Sequence, residues 1–347
     1  MSAATGNSTV SRFEGPKATG SFSARGTGAK GQACLSARCV VKVLFRLTNQ
    51  SEKEESVEKT KSSESRAAAL KWEVFVTPGI PIVTRDRPAD VPETFFQAMA
   101  STLIYGSSDA VLVDAFMTTK QATVLADWIA SKGRNLKTIY ITHGHGDHWF
   151  GVGTLLERFP GARVVATPDT VKVMRQNCSP EALQGAWEPG FPGQIPARLV
   201  VADELAGNVI DLEGQELVIV ELGHTDTDST TCLHVPSIGL VVAGDSAYND
   251  VHLYLAESNA RNRKEWIAAL DKIESLKPRA VVASHKRPEN EDNPRIIEET
   301  RKYIRDFDRL VETTTNAQEL YDEMMKLYPN RVNPGWALWS SARAAKP

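Results

Sequence analysis

The chain has 347 residues, and its apolar and charged fractions of 41% and 24% are typical of a globular protein with a sizeable core. The formal net charge of -3 argues against a dedicated nucleic-acid binder, because such proteins usually carry a basic excess. No apolar run approaches the roughly 20 residues of a membrane span, so we predict no membrane partner. The four cysteines form no CxxC pair, which favours a reducing compartment and a cytoplasmic location.

The N-terminal segment, residues 1–70, has a different composition from the rest of the chain. It is rich in Ser, Gly, Ala and Thr, and residues 51–66 form a run of mixed charge. Neither part offers a periodic apolar face, so we predict a disordered extension. The Ser-rich, acid-poor start also has the composition of an organelle transit peptide, which is the alternative to a plain disordered extension.

From residue 71 onward the pattern is globular, and strands and helices alternate. The first half contains predicted strands at 72–76, 102–105 and 110–114, a helix at 120–131, a strand at 136–142, a helix including 152–158 and a strand at 163–167. The second half contains predicted strands at 198–201, 209–212, 216–221, 230–234 and 239–243, a helix at 263–276, a strand at 280–284 and a helical tail over 294–327. This order suits two sheets packed face to face with helices outside. We predict a main domain at 71–290 and a C-terminal helical extension at 291–347 packed on it.

A cluster of polar residues follows the predicted strand 136–142. The segment reads His143-Gly144-His145-Gly146-Asp147-His148, so four side chains that can bind a metal lie within six residues. Side chains alternate along a strand, so His143, His145 and Asp147 can point the same way at its end. Unpaired burial of these groups would cost free energy, and a bound cation would offset that cost. Imidazole and carboxylate together suit zinc, with iron or manganese as alternatives.

This cluster resembles the HxHxDH motif of the metallo-β-lactamase superfamily, and the resemblance extends from about residue 72 to His285. It implies an α/β fold, a four-layer αββα sandwich of two mixed β-sheets, with two divalent metal ions at one edge. Later residues match the family's ligands in order, each after a predicted strand. One metal would take His143, His145 and His224, the other Asp147, His148 and His285, with Asp245 bridging them and Asp114 orienting a ligand by hydrogen bonding.

The resemblance implies a hydrolase that activates water between two metals to cleave a small carbonyl substrate, namely a lactone, lactam, ester or thioester. Asp147 could accept a proton from the nucleophile. Tyr248, three residues after Asp245, stands where lactone-cleaving members use a tyrosine to hold the substrate carbonyl, although it could equally be a packing residue. For His234, inside an apolar strand, a structural role is the better interpretation, and His252 has no place in the family pattern.

At two places the sequence differs from the usual family pattern, and these differences narrow the range of expected substrates. The loop after His224 reads Thr225-Asp226-Thr227-Asp228-Ser229, and its carboxylates would disfavour anionic substrates such as glutathione thioesters if they face the cleft. Asp245 stands where zinc β-lactamases often have a cysteine, so antibiotic hydrolysis is not the first expectation. The alternatives are a mononuclear-iron persulfide dioxygenase, a phosphodiesterase, and a non-catalytic binding protein that retains the fold. The sequence predicts neither the substrate nor the oligomeric state.

Overall fold

A computed structural model of the protein describes residues 69–89 and 91–347. The predicted N-terminal extension, apart from its last two residues, lies outside the described residues, as does the transit-peptide interpretation. Among the helices of the described ranges, none has both the length and the apolar character that a membrane crossing requires.

The first β-sheet has six strands in the order β1 to β6. Its strands are β1 (Lys71–Thr77), β2 (Met99–Tyr105), β3 (Asp109–Val113), β4 (Asn135–Tyr140), β5 (Arg163–Ala166) and β6 (Asp203–Glu204). The pairs β1–β2 and β2–β3 are antiparallel, whereas β3 to β6 run parallel. The parallel part coincides with the stretch where the sequence alternates between strands and helices, because a parallel connection needs a crossover element.

The second β-sheet has five strands in the order β11, β10, β9, β8 and β7. Its strands are β7 (Val209–Leu212), β8 (Gln215–Gly223), β9 (Thr230–Val235), β10 (Leu240–Asn249) and β11 (Ala280–Lys286). The strands β7 to β10 are antiparallel neighbours, and β10 pairs in parallel with β11. Both sheets are therefore mixed.

Helices cover the outer face of each sheet. Three helices in the first half are α1 (Thr119–Ser131), α2 (Val152–Arg158) and α3 (Pro168–Asn177). Two short turns follow, α4 (Pro180–Ala182) and α5 (Glu188–Gly190), on either side of a π-helical segment, Leu183–Trp187. The second half adds α6 (Ala260–Ser275), α7 (Ile296–Thr313), α8 (Ala317–Leu327) and α9 (Ala337–Ala345).

Strand alternation separates the core into three layers. In β2, Leu103 packs under the helices of the first half while Ile104 points between the sheets. In β10, Val241 packs against the helices of the second half, whereas its neighbours Leu240 and Val242 face the first sheet. Successive side chains on a strand point to opposite faces, and both faces are buried here. The arrangement is helix, sheet, sheet, helix, and it confirms the predicted αββα sandwich.

One predicted strand is wrong. Residues 198–201 are irregular, and the strand of this region is the two-residue β6, Asp203–Glu204. The apolar Leu199, Val200 and Val201 pack partly buried against the core of the first half without joining the sheet. An apolar run alone cannot distinguish a strand from a loop that covers a core. The helix α3 has no counterpart among the predicted elements, and α9 lies beyond the helical tail predicted over 294–327.

His252 packs against α7, and it is expected to make the protein acid-sensitive. Its side chain is fully buried and its Nδ1 bonds to the Tyr303 hydroxyl. Burial, together with the charge of Arg331, lowers the His252 pKa to about 3. A histidine whose pKa is lowered on folding, from about 6.5 in the unfolded chain, stabilises the folded protein above pH 6.5. This contribution is lost as the pH falls toward 3.

Because of this single group, the free energy of unfolding is expected to fall by about 1.4 kcal/mol for each pH unit between pH 6.5 and 3. Urea unfolding at pH 7 and pH 5, in the presence of chelator, should show wild-type protein losing roughly 2 kcal/mol more than His252→Gln. Parallel pH profiles for the two proteins would contradict this role of His252.

Candidate metal centre

The segment from Thr142 to His148 runs from the end of β4 into a 3-10 turn, Gly146–His148. Its two glycines are required by close packing. A Cβ on Gly144 would lie 2.4 Å from Cγ1 of Val173, and one on Gly146 would lie 2.3 Å from the ring of Phe150. The tight turn therefore brings three histidines and an aspartate to one place, as the spacing predicts.

The donor atoms of seven buried side chains meet above the ends of β4, β8, β10 and β11. They form three overlapping groups, in each of which the donor atoms lie within 4.8 Å of one another. The groups are His143, His145 and Asp226; His143, His148 and Asp245; and Asp147, His148 and His285.

Three of the four histidines are oriented through Nδ1. His148 Nδ1 lies 2.9 Å from Asp114 Oδ2, and His285 Nδ1 lies 3.0 Å from the carbonyl oxygen of Ala98. His143 Nδ1 lies 3.1 Å from the hydroxyl of Thr142, which itself donates to Asp114. These acceptors place the proton on Nδ1, which leaves the lone pair of Nε2 pointing into the centre.

His145 has the reverse orientation. Its Nε2 lies 3.1 Å from Glu257 Oε1, and its Nδ1 lies 2.9 Å from Asp226 Oδ2. Glu257 is in turn held by the hydroxyl of Thr227. A proton on Nε2 bound to Glu257 leaves Nδ1 as the donor atom, so all four imidazoles present one free nitrogen to the same space.

Several of these donor atoms are buried and without a hydrogen-bond partner. They are His143 Nε2, His148 Nε2, Asp226 Oδ2 and Asp245 Oδ1. An unsatisfied buried polar atom costs about 1–3 kcal/mol, and more when it is charged. Four such atoms in one place are unfavourable as a packed core and suit the coordination of cations, so the residues fit a metal centre.

The charges of the centre are strongly coupled. Burial opposes ionisation, but the imidazoles hold the pKa values of Asp147 and Asp245 below their ordinary range. Burial would lower the pKa of His285, but Asp245 and Asp147 raise it to about 10. The carboxylates therefore require positive charge beside them. Divalent cations supply that charge and bind the imidazoles in their neutral form.

One comparison with known proteins identifies the family, and a second shows the fold. A family model described as the metallo-beta-lactamase superfamily matches residues 98–285, which is more than half of the chain. The chain belongs to the metallo-beta-lactamase superfamily. A crystal structure of a superfamily member from Thermus thermophilus has the same fold, with a TM-score of 0.54 and 20% identity over 78% of this chain and 91% of that one.

Shorter matches connect this superfamily member to named enzymes. A hydroxyacylglutathione hydrolase of Francisella tularensis subsp. novicida (strain U112) is 39% identical over 64 residues, 18% of this chain and 24% of that protein. One from Francisella philomiragia subsp. philomiragia is 37% identical over 67 residues, 19% of this chain and 25% of that protein. The chain thus spans about a quarter of the length of the curated relatives it matches.

Asp114 holds several parts of the metallo-beta-lactamase turn at once. Its carboxylate accepts from Thr142 N at 3.0 Å and Ser284 Oγ at 3.0 Å, besides orienting His148. Its backbone has a φ of 62°, a left-handed conformation that Asp and Asn adopt more readily than most residues. Because Asn tolerates this backbone, Asp114→Asn removes the acceptor for His148 while leaving the turn intact.

We expect Asp114→Asn to weaken metal binding by roughly 10–100-fold, as loss of an orienting partner does in other metal sites. Competition against a chelator of known affinity measures this change. Asp127→Asn, an exposed change on α1, is the control and should bind as wild type. An Asp114→Asn affinity equal to that of the control would contradict an orienting role.

His224 lies outside the three donor groups. Its Nδ1 is 2.6 Å from Oδ1 of Asp228, and its Nε2 is buried without a hydrogen-bond partner. Asp226, two residues later, is the residue that joins His143 and His145 instead. In the sequence, Asp226 stands out only as an acidic residue of this loop. Asp226 lies two residues after His224 in the loop that follows β8. This short spacing was the sequence signal for Asp226 as a donor, because the loop can direct either side chain into the centre.

Tyr248 lies behind the centre and not in its opening. Its side chain is fully buried, its hydroxyl donates to Asp245 Oδ2 at 3.1 Å, and its ring stacks on His285. Burial and the charge of Asp245 raise its pKa well above the ordinary value. In this position the phenol hydrogen-bonds to Asp245, and the contact with a substrate carbonyl that the family resemblance implies stays a prediction.

The centre opens into a cavity of about 250 Å³. Five aromatic residues line it, namely Phe96, Trp187, Phe191, Tyr254 and Trp336. Its polar and charged lining comprises Gln97, His145, Asp147, Asn177, Asp245, Glu257 and His285. No Lys or Arg is among the described residues that line it.

The residue just before α9 closes one side of this cavity. Trp336 stacks on Tyr254 at 5.0 Å between ring centroids and contacts Phe96 at 4.7 Å. By contrast, Trp149 and Phe150, which follow the metal-binding turn directly, are fully buried in the core of the first half. Tyr254 is the tyrosine among the described residues that line the cavity, and its hydroxyl lies 3.5 Å from Glu257 Oε1.

Proposed function

We propose that the protein is a metal-dependent hydrolase with two divalent cations, zinc in the first instance, that cleaves a small carbonyl substrate. The observation that carries the proposal is the set of buried, partnerless donor atoms at the floor of the aromatic cavity. His143 and His145 would hold one cation, and Asp147, His148 and His285 would hold the other. Asp245 belongs to the group with His143 and also lies 3.0 Å from His285 Nε2, so it is suited to bridge the two.

Divalent metals in such a site lower the pKa of a water molecule and polarise a carbonyl oxygen. The chain's own residues then position the reactants. Asp147 lines the cavity with an ionised carboxylate, so it is suited to accept the proton of the attacking water. Gln97 and Tyr254 also line the cavity, where Gln97 Nε2 donates one hydrogen to the His252 carbonyl and the Tyr254 hydroxyl donates to Glu257, so the second amide hydrogen of Gln97 is the donor left for the substrate. Trp187, Phe191 and Trp336 provide an apolar wall that excludes water.

The lining favours neutral substrates over anionic ones. Glu257 adds a carboxylate to the wall, and no cationic side chain of the described lining is available to pair with a negative group. The cavity is also small, which suits a compact lactone, ester, lactam or thioester with an apolar acyl part. Hydroxyacylglutathione, the substrate class in the names of the short-match relatives, is anionic and fits this wall poorly.

A substrate panel tests this proposal. Metal-loaded protein is expected to hydrolyse neutral lactones or thioesters at least about 10-fold more efficiently, in kcat/KM, than a glutathione thioester with the same acyl group, a difference of about 1.4 kcal/mol. β-Lactams and phosphodiesters complete the panel. Metal-loaded, folded protein that leaves every carbonyl substrate intact would count against the proposal, and preferred cleavage of the glutathione thioester would contradict the charge argument.

One observation favours a second candidate function. His143, His145 and Asp226 form a set of two imidazoles and one carboxylate, which is the donor set of many non-haem iron oxygenases. A mononuclear-iron persulfide dioxygenase is therefore the alternative. Oxygen consumption in the presence of a persulfide, by protein that contains one iron and no second metal, would support it over the hydrolase.

A further inference from the structure

We infer that Asp226, and not His224, supplies the third protein donor at the position formed by His143 and His145. This inference rests on the proposed metal centre and specifies its composition. Asp226 Oδ2 lies 2.9 Å from His145 Nδ1 and 3.4 Å from His143 Nε2, and its side chain is fully buried. These distances place a carboxylate oxygen where the free nitrogens of both histidines converge.

The two carboxylate oxygens of Asp226, in the loop after β8, have different surroundings. The hydroxyl of Thr225 donates to Oδ1 at 2.8 Å, which fixes the carboxylate plane. Oδ2 is buried and has no hydrogen-bond partner. This is the same division that orients the histidines, in which one atom is held by the protein and the other is left for a cation.

The same loop directs the His224 side chain away from the position formed by His143 and His145. Gly223, with a φ of 82°, turns the chain at the end of β8, where the pairing with β9 shifts register. The Nδ1 of His224 then bonds to Asp228, whose side chain is 80% exposed. His224 lines a surface depression together with Glu221, Asp228 and Glu265, and this depression shares no lining residue with the cavity over the metal centre. Its unpaired Nε2 nevertheless makes His224 the competing donor.

A carboxylate in this position changes the chemistry of the centre. With Asp147, Asp245 and Asp226, three carboxylates would face two divalent cations, one more than with His224 as the donor. Oxygen donors bind manganese and iron relatively better than imidazole does, so the position defined by His143 and His145 should be less selective for zinc. The other position, formed by Asp147, His148 and His285, is unaffected by the exchange.

Two matched variants of the full chain, Asp226→Asn and His224→Gln, distinguish the two donors. Equilibrium dialysis against Zn²⁺ followed by elemental analysis counts the ions, and Co²⁺ absorption in the visible range reports the donor set. We expect wild type to bind two equivalents. We expect Asp226→Asn to keep one and to bind the second more than 100-fold more weakly, beyond the roughly 10–100-fold of an orienting residue. His224→Gln should stay within about threefold of wild type, well inside the orienting range.

The equivalent that Asp226→Asn retains shows that this variant is folded. Loss of one equivalent in His224→Gln with both retained in Asp226→Asn would overturn the inference, as would equal losses in the two variants. An unchanged Co²⁺ spectrum in Asp226→Asn would also overturn it. Wild-type protein that binds two equivalents but cleaves no substrate contradicts the proposed function alone, because the metal count needs no substrate.

Discussion

Asp147→Asn is expected to lower kcat/KM by about 10²–10⁴-fold, the range typical of a lost general base. The change preserves shape but removes the charge that His148 and His285 surround, with Asp147 Oδ2 at 3.4 Å from Nε2 of each. It also removes the ionised group that faces the cavity. Both the proton acceptor and part of the charge that attracts a cation are then lost, so steady-state kinetics and metal content are measured on the same sample.

The control for this variant is Asp127→Asn, because Asp127 is exposed on α1 and belongs to none of the three donor groups. It makes the same chemical change without touching the centre, and its kcat/KM should match that of wild type. Asp147→Asn with both metals retained and a lowered kcat identifies a proton-transfer role. An Asp147→Asn enzyme with wild-type kcat/KM would remove Asp147 from the reaction.

Removal of the metals is expected to lower the melting temperature by on the order of 10 °C. A ligand present at a thousand times its Kd stabilises the folded state by about 4 kcal/mol. For a domain of this size, each kcal/mol corresponds to roughly 2–4 °C in Tm. The physical reason lies in the partnerless donors of the centre, whose burial bound cations offset.

The metal-free protein should also acquire a pH dependence that the loaded protein lacks. In the absence of metal, protonated His285, with a pKa of about 10, compensates Asp245 and Asp147. A histidine whose pKa is raised on folding contributes stability below its unfolded value of about 6.5, and this is lost as the pH rises toward 10. Thermal unfolding with chelator and with Zn²⁺, at pH 6.5 and pH 9, measures both effects. Identical melting temperatures with and without metal would contradict the account.

The sequence predicts the fold well because central strands such as β2 and β10 are buried on both faces and helices alternate with the strands. In β3 the apolar run stops at Asp114, directly after the strand, so that strand end could be located from the polar residue, whereas β10 continues past Asp245 to Asn249. The error at residues 198–201 arose where an apolar segment covers the core without pairing. Periodicity reports burial, and burial alone does not specify backbone hydrogen bonding.

The candidate site could be predicted only in part, for a related reason. His143, His145, Asp147 and His148 lie in one turn, and their convergence follows from local geometry. Whether His224 or Asp226 turns inward depends on Gly223 and on the Asp228 and Thr225 contacts, which one sequence does not display. Likewise, Tyr248 follows Asp245 at the expected offset, yet packing against His285 directs its hydroxyl to Asp245.

The most direct test of the central claim is the metal content of the purified full-length chain after dialysis against Zn²⁺ and removal of free metal. We expect two equivalents per chain, both lost on chelation and both recovered on readdition. A single equivalent would contradict the two-metal arrangement. A folded protein that retains no metal under these conditions would contradict the interpretation of this cluster as a metal centre.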